Sequence, residues 1–579
     1  MTAQVARITR VSGPLVQVDG ADAAMHDVLE LGPYRSPGEV VAVRGSRVTV
    51  QAYEYTGGLR PGDAAVPLGH PLAAPLGPWL LGGLFDGLLR PLAGAPVWLD
   101  AGSLTAAPAD GPARRFAPQV AKGDAAGPGG ILGTVAAGGP IEFRVLVPPH
   151  VSGRVERVAA PGEYGPGDVL ATVGTVPVTM TASWPVRTPR PYLARRAADA
   201  PLLTGQRVVD AFFPIAKGGT AAVPGGFGTG KTLLLQQIAK WCDAHVIVYV
   251  GCGERGNEMA DVVAELSTLD DPRTGGRLLD RTVVIANTSN MPMMAREASI
   301  YTGVTVAEFY RDMGYDVVVI ADSTSRWAEA LREFASRSGT PPAEEGYPAD
   351  LASALAAFYE RAGAVRTLGG GHGSVTIVGA VSPPGGDLTE PVTANTERFV
   401  RCRWTLDRDL AYARHYPAVS WSASFSRDTG LIGADYARRA DPGWAARRAR
   451  ALDVLADADR IAALADLVGT SGLPAHERMT LLAGRLLRDA VLQQNALVVH
   501  DAYCTTAKSA ALLEAVLTVC DRCHALVDAG AAPASIEAVD FGPLVRARET
   551  LGPGDAGGVA GPRDAVLAQL DAAAAGRTA

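Results

Sequence analysis

Lysine is nearly missing from this chain. Of its 53 basic residues only five are lysine (Lys122, Lys217, Lys231, Lys240 and Lys508), and all the others are arginine. Cysteine is as sparse: six in 579 residues, without a framework-like spacing, exclude a disulfide-built scaffold and fit a reducing compartment. No long hydrophobic run occurs. The most apolar stretch, Pro71 to Leu99, is interrupted by Asp86, Arg90 and several prolines, which excludes a spanning helix. The opening MTAQVARITRVSGPLVQV lacks the apolar core of about 7–15 residues that a signal peptide needs. There is no basic tail and no large block of one sign, and the net charge is −7. Nothing therefore recommends nucleic acid or an anionic membrane as the main partner. If the protein serves a membrane process, another chain must touch the lipid.

What is present is an ordinary globular composition, 47% apolar and 20% charged, in a chain long enough for roughly three to four units. Residues 1–70 read as short strands, such as Val40–Val43 and Val48–Val50, between Gly, Pro and Asp turns, the pattern of a small β-barrel. The Gly/Pro/Ala-rich stretch from Ala101 to about Gly130 reads as loop, and strand alternation resumes over 131–185, as in Ile141–Val145 and Val151–Val155. From about 200 to 430, buried-strand runs (His245–Val250, Thr282–Ala286 and Asp316–Ala321) alternate with helical stretches. That alternation predicts a parallel sheet with binding loops at the strands' C-terminal ends. Beyond about 430 the Ala/Leu/Arg-rich sequence has helical periodicity and predicts an all-α domain with a frayed, Ala-rich tail. No internal repeat is visible.

Gly225-Gly226-Phe227-Gly228-Thr229-Gly230-Lys231-Thr232 matches G-x-x-x-x-G-K-[ST], the phosphate-binding loop. Its glycines let backbone N–H groups turn inward around phosphate oxygens, Lys231 reaches the β- and γ-phosphates, and the Thr232 hydroxyl ligates Mg²⁺. A compact ammonium is needed there, and guanidinium substitutes poorly. The helix expected from LLLQQIAKW adds its N-terminal dipole. Asp322 closes the strand run 316–322, where a carboxylate faces a neighbouring strand's loop and holds Mg²⁺, usually through water. Glu254 follows the strand at 245–250, a position from which a carboxylate orients and polarises a water in line with the γ-phosphate. Arg255 beside it can neutralise charge on the phosphoryl group. Each of these residues alone also suits a blander role: a helix cap for Asp322, a surface ion pair for Glu254 and Arg255. Cys520-Asp-Arg-Cys523-His524 matches the haem-attachment pattern C-x-x-C-H, but Leu513, Val516, Leu517, Cys520, Cys523 and Val527 recur at helical spacing. A core-facing helix is expected instead, with no haem, zinc or iron.

Several long blocks go beyond a generic loop-bearing nucleotide triphosphatase. PLLTGQRVVDAFFPIAKGGTAAVPGGFGTGKT (201–232), VGCGERGNEM (250–259), ANTSNMPMMAREASIYTG (286–303), ADSTSRWAEALRE (321–333) and GYPADLASALAAFYERAG (346–363) closely resemble the catalytic A subunit of V/A-type ATPases. The likeness reaches outward to VSGPLV (11–16), FAPQVAKGD (116–124), WPVRTPRPY (184–192) and LLRDAVLQQNALVVHDAYC (486–504), covering nearly the whole chain. The resemblance implies an N-terminal β-barrel over 1–70 and a RecA-like α/β nucleotide domain over 71–110 and 186–430. It places a β-rich insertion at 111–185 and a helical C-terminal domain at 431–579. It implies ATP and ADP as substrates with Mg²⁺, and an alternating ring with B subunits. Rotor and peripheral-stalk partners, ion movement (protons or sodium) and a cytoplasmic place peripheral to the membrane go with it. Carried over by position, Lys231 and Thr232 hold phosphate and Mg²⁺, Glu254 activates water, Arg255 contacts the γ-phosphate, Asp322 is the metal-side acid, and Tyr416 packs on adenine. Three positions depart from the family: Gly226 where Pro or Ala is common, Thr229 where some relatives have cysteine, and Leu497 where an aromatic is usual. The rival readings are a type III secretion motor, an RNA translocase and a non-catalytic member of the same ring. The insertion, the lack of a basic channel and the intact loop with Glu254 argue against them.

Overall fold

The computed structural model describes residues 6–95, 99, 102, 111–271, 273–438 and 441–576. The chain forms two compact units: residues 1–197, 244–381 and 389–399 in one, and 198–243, 382–388 and 400–579 in the other.

The first unit opens with six strands: β1 (Arg7–Ser12), β2 (Leu15–Asp19), β3 (Asp27–Leu31), β4 (Ser36–Arg44), β5 (Arg47–Ala52) and β6 (Ala65–Pro71). They pair in the order β1-β2-β5-β4-β3-β6. Alternation decides which face turns inward: Val16, Val18, Val48 and Val50 are fully buried, and residues between them are not. Arg7 bridges Ala64, and Ala65 N–H donates to Ala6 O at 2.9 Å, so the two edges meet and the sheet closes. Register shifts in β1 and β4 mark the bulges that bend a sheet far enough to do so.

The β-rich insertion is built from two four-stranded sheets. One holds Phe143–Leu146, Ile131–Val135, Arg114–Pro118 and Gly162–Tyr164; the other holds Ala125–Ala126, Gly153–Val158, Ala171–Val173 and Val176–Val178. Two of these strands lie where loop was expected. Phe116, fully buried, pairs with Val135 and Gly162, so this Gly/Pro/Ala-rich segment becomes strand through partners far along the chain. Of the expected loop, residues 101 and 103–110 lie outside the described residues.

The core of the first unit is a parallel sheet running Leu84–Phe85, Thr282–Asn287, Val246–Cys252, Asp316–Asp322, His372–Val381. Every residue of Val246–Cys252 is buried, as a strand covered on both faces requires. The 20-residue helix Met293–Asp312 is buried over nearly its whole length, and its charges are paired: Glu297 with Arg187 at 2.6 Å and Glu308 with Arg361 at 2.5 Å.

In the second unit, strand Thr220–Pro224 leads into the phosphate loop and helix α1 (Lys231–Trp241), and pairs in parallel with Cys402–Arg403. Beyond residue 430 the described residues contain helices and no strand, the longest being Trp444–Val468 and Thr506–Asp528. In the latter, Cys520 and Cys523 are buried as the helical spacing predicted, while Val527 is half-buried. The Ala-rich tail does not fray as expected: Ala560–Ala574 is helix, pinned by fully buried Val566 and Leu570. Residues 577–579 lie outside the described part.

Candidate functional site

The phosphate loop is shaped by its glycines. Gly228 and Gly230 have φ of +78° and +86°, values that side chains rarely adopt. A Cβ at Gly225 would meet Thr229 Oγ1 at 2.7 Å and Leu406 Cβ at 2.8 Å, so no larger residue fits. Thr229 is buried and donates its hydroxyl to Gly226 O at 2.8 Å, tying the loop across its own turn. The Lys231 ammonium lies inside the loop, donating to Gly225 O at 2.6 Å and Gly226 O at 2.8 Å. Gly230 caps α1 without a side-chain hydrogen bond, and the first turn carries no acid. The dipole of such a helix start favours an anion. Thr232 is half-buried in that turn, and Phe227 is 88% exposed at the loop's tip.

Tyr416 belongs to the same neighbourhood. A Cβ built on Gly230 would lie 3.3 Å from its ring, so the aromatic edge rests against the end of the loop. Leu497 is 93% exposed. Gly226 has room, since an added Cβ would find Arg408 at 3.6 Å and Gly386 at 4.0 Å, both ordinary contacts. Arg408, a cation beside the loop, was not singled out from sequence; nothing in its local pattern distinguishes it from the other arginines.

The predicted acids gather in the first unit. Strand Val246–Cys252 is followed by Gly253, whose φ of +75° turns the chain and whose N–H donates to Asn287 O at 2.7 Å. A Cβ there would fall 2.7 Å from Arg326 Cβ. This tight turn presents Glu254, whose carbonyl accepts from Ser289 N–H at 2.9 Å, before helix α2 (Gly256–Thr268) begins. Burial, then the negative charge of Asp322, pushes the Glu254 carboxyl up to about 7, while a hydrogen bond from Ser323 and the charge of Arg326 pull the other way. A carboxyl poised near neutral is matched to proton transfer at physiological pH. Asp322 is buried at its strand's end and accepts a hydrogen bond from the Tyr249 hydroxyl at 3.2 Å. Arg255 caps α2, has its side chain 66% exposed and pairs with Glu258 at 3.7 Å.

Tyr249, Arg296 and Arg326 join this cluster without having been singled out in the sequence. Arg296 donates to Ser289 O at 2.9 Å, and Arg326 pairs with Glu329 at 2.9 Å. Tyr249 was hidden inside an apolar run; its only signal was a polar tip in an otherwise hydrocarbon strand.

Among the described residues no group of three or more His, Cys, Asp or Glu converges in a way that could hold a metal by itself. Thr232 carries a hydroxyl and Asp322 a carboxylate, oxygen donors of the kind that suit a hard cation.

Four family models match the chain in succession. They are the ATP synthase alpha/beta beta-barrel domain (8–69), the alpha/beta barrel-sandwich domain (113–187), the nucleotide-binding domain (205–426) and the C-terminal domain of V and A type ATP synthase (434–531). A V-type ATP synthase alpha chain of Nitrosococcus oceani is 47% identical, with 90% of each chain covered. The A subunit of the A-type ATP synthase of Metallosphaera sedula is 48% identical over 88% of each chain. Among solved structures, the assembled ATPase EscN of the enteropathogenic E. coli type III secretion system shares the fold alone. Its TM-score is 0.63 at 22% identity, covering 89% of this chain and 100% of that one. With relatives this similar over nine-tenths of their length and all four domains matched in order, the chain belongs to the ATP synthase alpha/beta family, among the V-type alpha chains and the A subunits of A-type synthases.

Proposed function

We propose that this chain hydrolyses and synthesises ATP as the catalytic A subunit of a rotary V/A-type ATPase, coupled through other subunits to the movement of protons or sodium ions across a membrane. The observation that carries the reading is the phosphate loop. Lys231 sits within it, and it opens directly onto an uncapped, acid-free helix N-terminus. Lys231 and the loop N–H groups bind the β- and γ-phosphates, and Thr232 and Asp322 would hold Mg²⁺, which when bound would neutralise charge on the phosphate oxygens. Glu254, as carboxylate, orients the attacking water and receives its proton. Arg255 contacts the γ-phosphate, and Tyr416 gives the base a platform. The raised proton affinity of Glu254 supports the base assignment, and the lean of Tyr416 on Gly230 supports the platform.

No helix among the described residues is long and apolar enough to cross a membrane. In our reading the chain lies on the cytoplasmic side and meets the bilayer only through partners. B-type chains alternate with it in a ring, and rotor and peripheral stalks attach to that ring. Phosphoryl transfer needs cationic charge on the γ-phosphate, and an arginine from a neighbour is worth roughly 10³–10⁵ in rate. The single chain is thus expected to bind Mg-ATP but turn it over slowly, with activity restored by a B-type chain. Native mass of the purified complex, with a steady-state assay before and after mixing, tests this. A homohexamer, or full activity of the monodisperse single chain, would refute it.

A further inference from the structure

A fully buried charged network lies in the second unit, formed by residues to which no role was given above. Arg207 and Asp501 are paired at 2.6 Å with both side chains wholly inaccessible. The remaining Arg207 donors are spent on main-chain oxygens: Nε on Val491 O at 2.9 Å and Nη2 on Gln493 O at 2.6 Å. Asp501 uses its second oxygen to accept the Asn495 N–H at 2.7 Å. Two more cations border this carboxylate. Arg548 stands 3.7 Å from it, and buried Lys508 donates to the carbonyls of Arg548 and Leu551 at 2.8 Å each. Arg548 also pairs with Glu549 at 3.0 Å, and the Arg207–Asp501 pair, with the bonds to Gln493 O and from Asn495 N–H, ties the segment 493–501 to Arg207.

Gln494 lies in that segment and is 3% exposed. Its Oε1 accepts the Arg207 N–H at 2.8 Å, and its Nε2 donates to Gly205 O at 2.9 Å. Both ends of the amide are therefore fixed to the turn at 205–207. Held there, the Gln494 main-chain N–H donates to the carbonyl of Tyr416 at 2.8 Å. Gln493 adds a bond from Nε2 to Arg414 O at 3.4 Å. The turn at 205–207 is thus joined, through one amide side chain, to the residue whose ring leans on the phosphate loop.

We infer that Gln494, clamped by the Arg207–Asp501 pair, is a positioning residue that sets the Tyr416 ring for the base and so contributes to nucleoside affinity rather than phosphate affinity. The inference rests on the reading of Tyr416 as the base platform. The phosphate loop takes its shape from its own glycines, Thr229 and Lys231. A change at Gln494 displaces Tyr416 without altering that shape.

The experiment is equilibrium binding of Mg-ATP and of inorganic tripolyphosphate to the full chain, for Tyr416→Ala, Gln494→Met and the double variant. Methionine keeps the volume of glutamine and removes both amide bonds. Gln494→Met is expected to weaken ATP roughly five- to tenfold, the loss of about one hydrogen bond's worth of positioning, and to leave tripolyphosphate unchanged. Tyr416→Ala should weaken ATP by a similar factor or more, and the double variant should bind no worse than Tyr416→Ala alone, because one residue acts through the other. Additive losses, or an equal loss of tripolyphosphate, would overturn the inference. ATP affinity unaltered in Gln494→Met but reduced in Tyr416→Ala would also overturn it while leaving the platform standing. Unaltered affinity in Tyr416→Ala would instead remove the platform itself. Should Gln494→Met not fold, Gln494→Glu keeps the bond from Arg207 N–H and loses the one to Gly205. It is read the same way, with a smaller loss expected in ATP alone.

Discussion

The phosphate loop and the turn that carries Glu254 are built alike and work differently. Each follows a buried strand, turns on a glycine of positive φ and opens onto a helix: Gly230 before α1, Gly253 before α2. In the function proposed for it, the loop works through main-chain N–H groups and one ammonium, its shape set by glycine dihedrals. The Glu254 turn delivers a single side chain whose chemistry depends on what surrounds it. Burial and the charge of Asp322 raise its proton affinity. A contiguous motif is enough for the first. The second exists only once strands distant in sequence stand side by side.

Changing each element in turn tests that contrast. The largest effect is expected at the loop. Lys231→Ala should cut ATP hydrolysis by roughly 10³ or more and weaken nucleotide binding, because the β/γ charge loses its only loop cation. Lys217, the nearest lysine before the loop in sequence, is engaged with Asp243 at 3.2 Å. Wild-type turnover in the assembled variant would refute the assignment. Glu254→Gln should affect chemistry and not binding: hydrolysis falls roughly 10²–10⁴-fold while Mg-ATP affinity stays within about twofold. An equal loss of affinity would make Glu254 an organiser of the pocket.

The third test is pH. As the proposed base, Glu254 must be ionised to act, so the wild-type rate should fall on the acid side of neutrality, and Glu254→Gln should lack that acid limb. The sign for stability is opposite. Folding raises this carboxyl from 4.5 to about 7, so the folded state holds the proton more tightly and wild type loses stability as pH rises across that window. Thermal unfolding should show Glu254→Gln gaining on wild type from about pH 5 to about pH 7 and no further above it. The smallest effect belongs to Gly226. An added Cβ meets nothing closer than 3.6 Å, so Gly226→Ala should be accommodated and stabilise by about 0.4–1 kcal/mol through a less flexible unfolded chain. A clear loss of stability or of nucleotide affinity would show that the loop needs glycine there as well.

Much of the architecture was legible because its signals are local. Closely spaced Val40–Val43 and Val48–Val50 mark barrel strands, and the unbroken apolar run to Val250 marks a strand buried on both faces. The runs at 282–286 and 316–321 are strands of one parallel sheet, as their apolar character predicts. The short strands Arg114–Pro118 and Ala125–Ala126 have no such signal, because their residues favour no strand; partners decide them. The tail is illegible for the reverse reason. An alanine-rich segment is marginal as an isolated helix, and two buried side chains settle it. The C-x-x-C-H pattern is legible as helix core because its apolar neighbours share one helical face.

The sequence by itself determined the phosphate loop, the buried strand runs that come after it in the chain and the acids that close them. These depend on dihedral restriction and on apolar periodicity, both properties of neighbouring residues. Only the tertiary structure decided how tightly Glu254 holds its proton, which hydroxyl steadies Asp322 and how Gln494 grips the carbonyl of Tyr416. Desolvation, the repulsion of two carboxylates and a hydrogen bond between distant segments have no local signature, because none of them exists until the chain has folded.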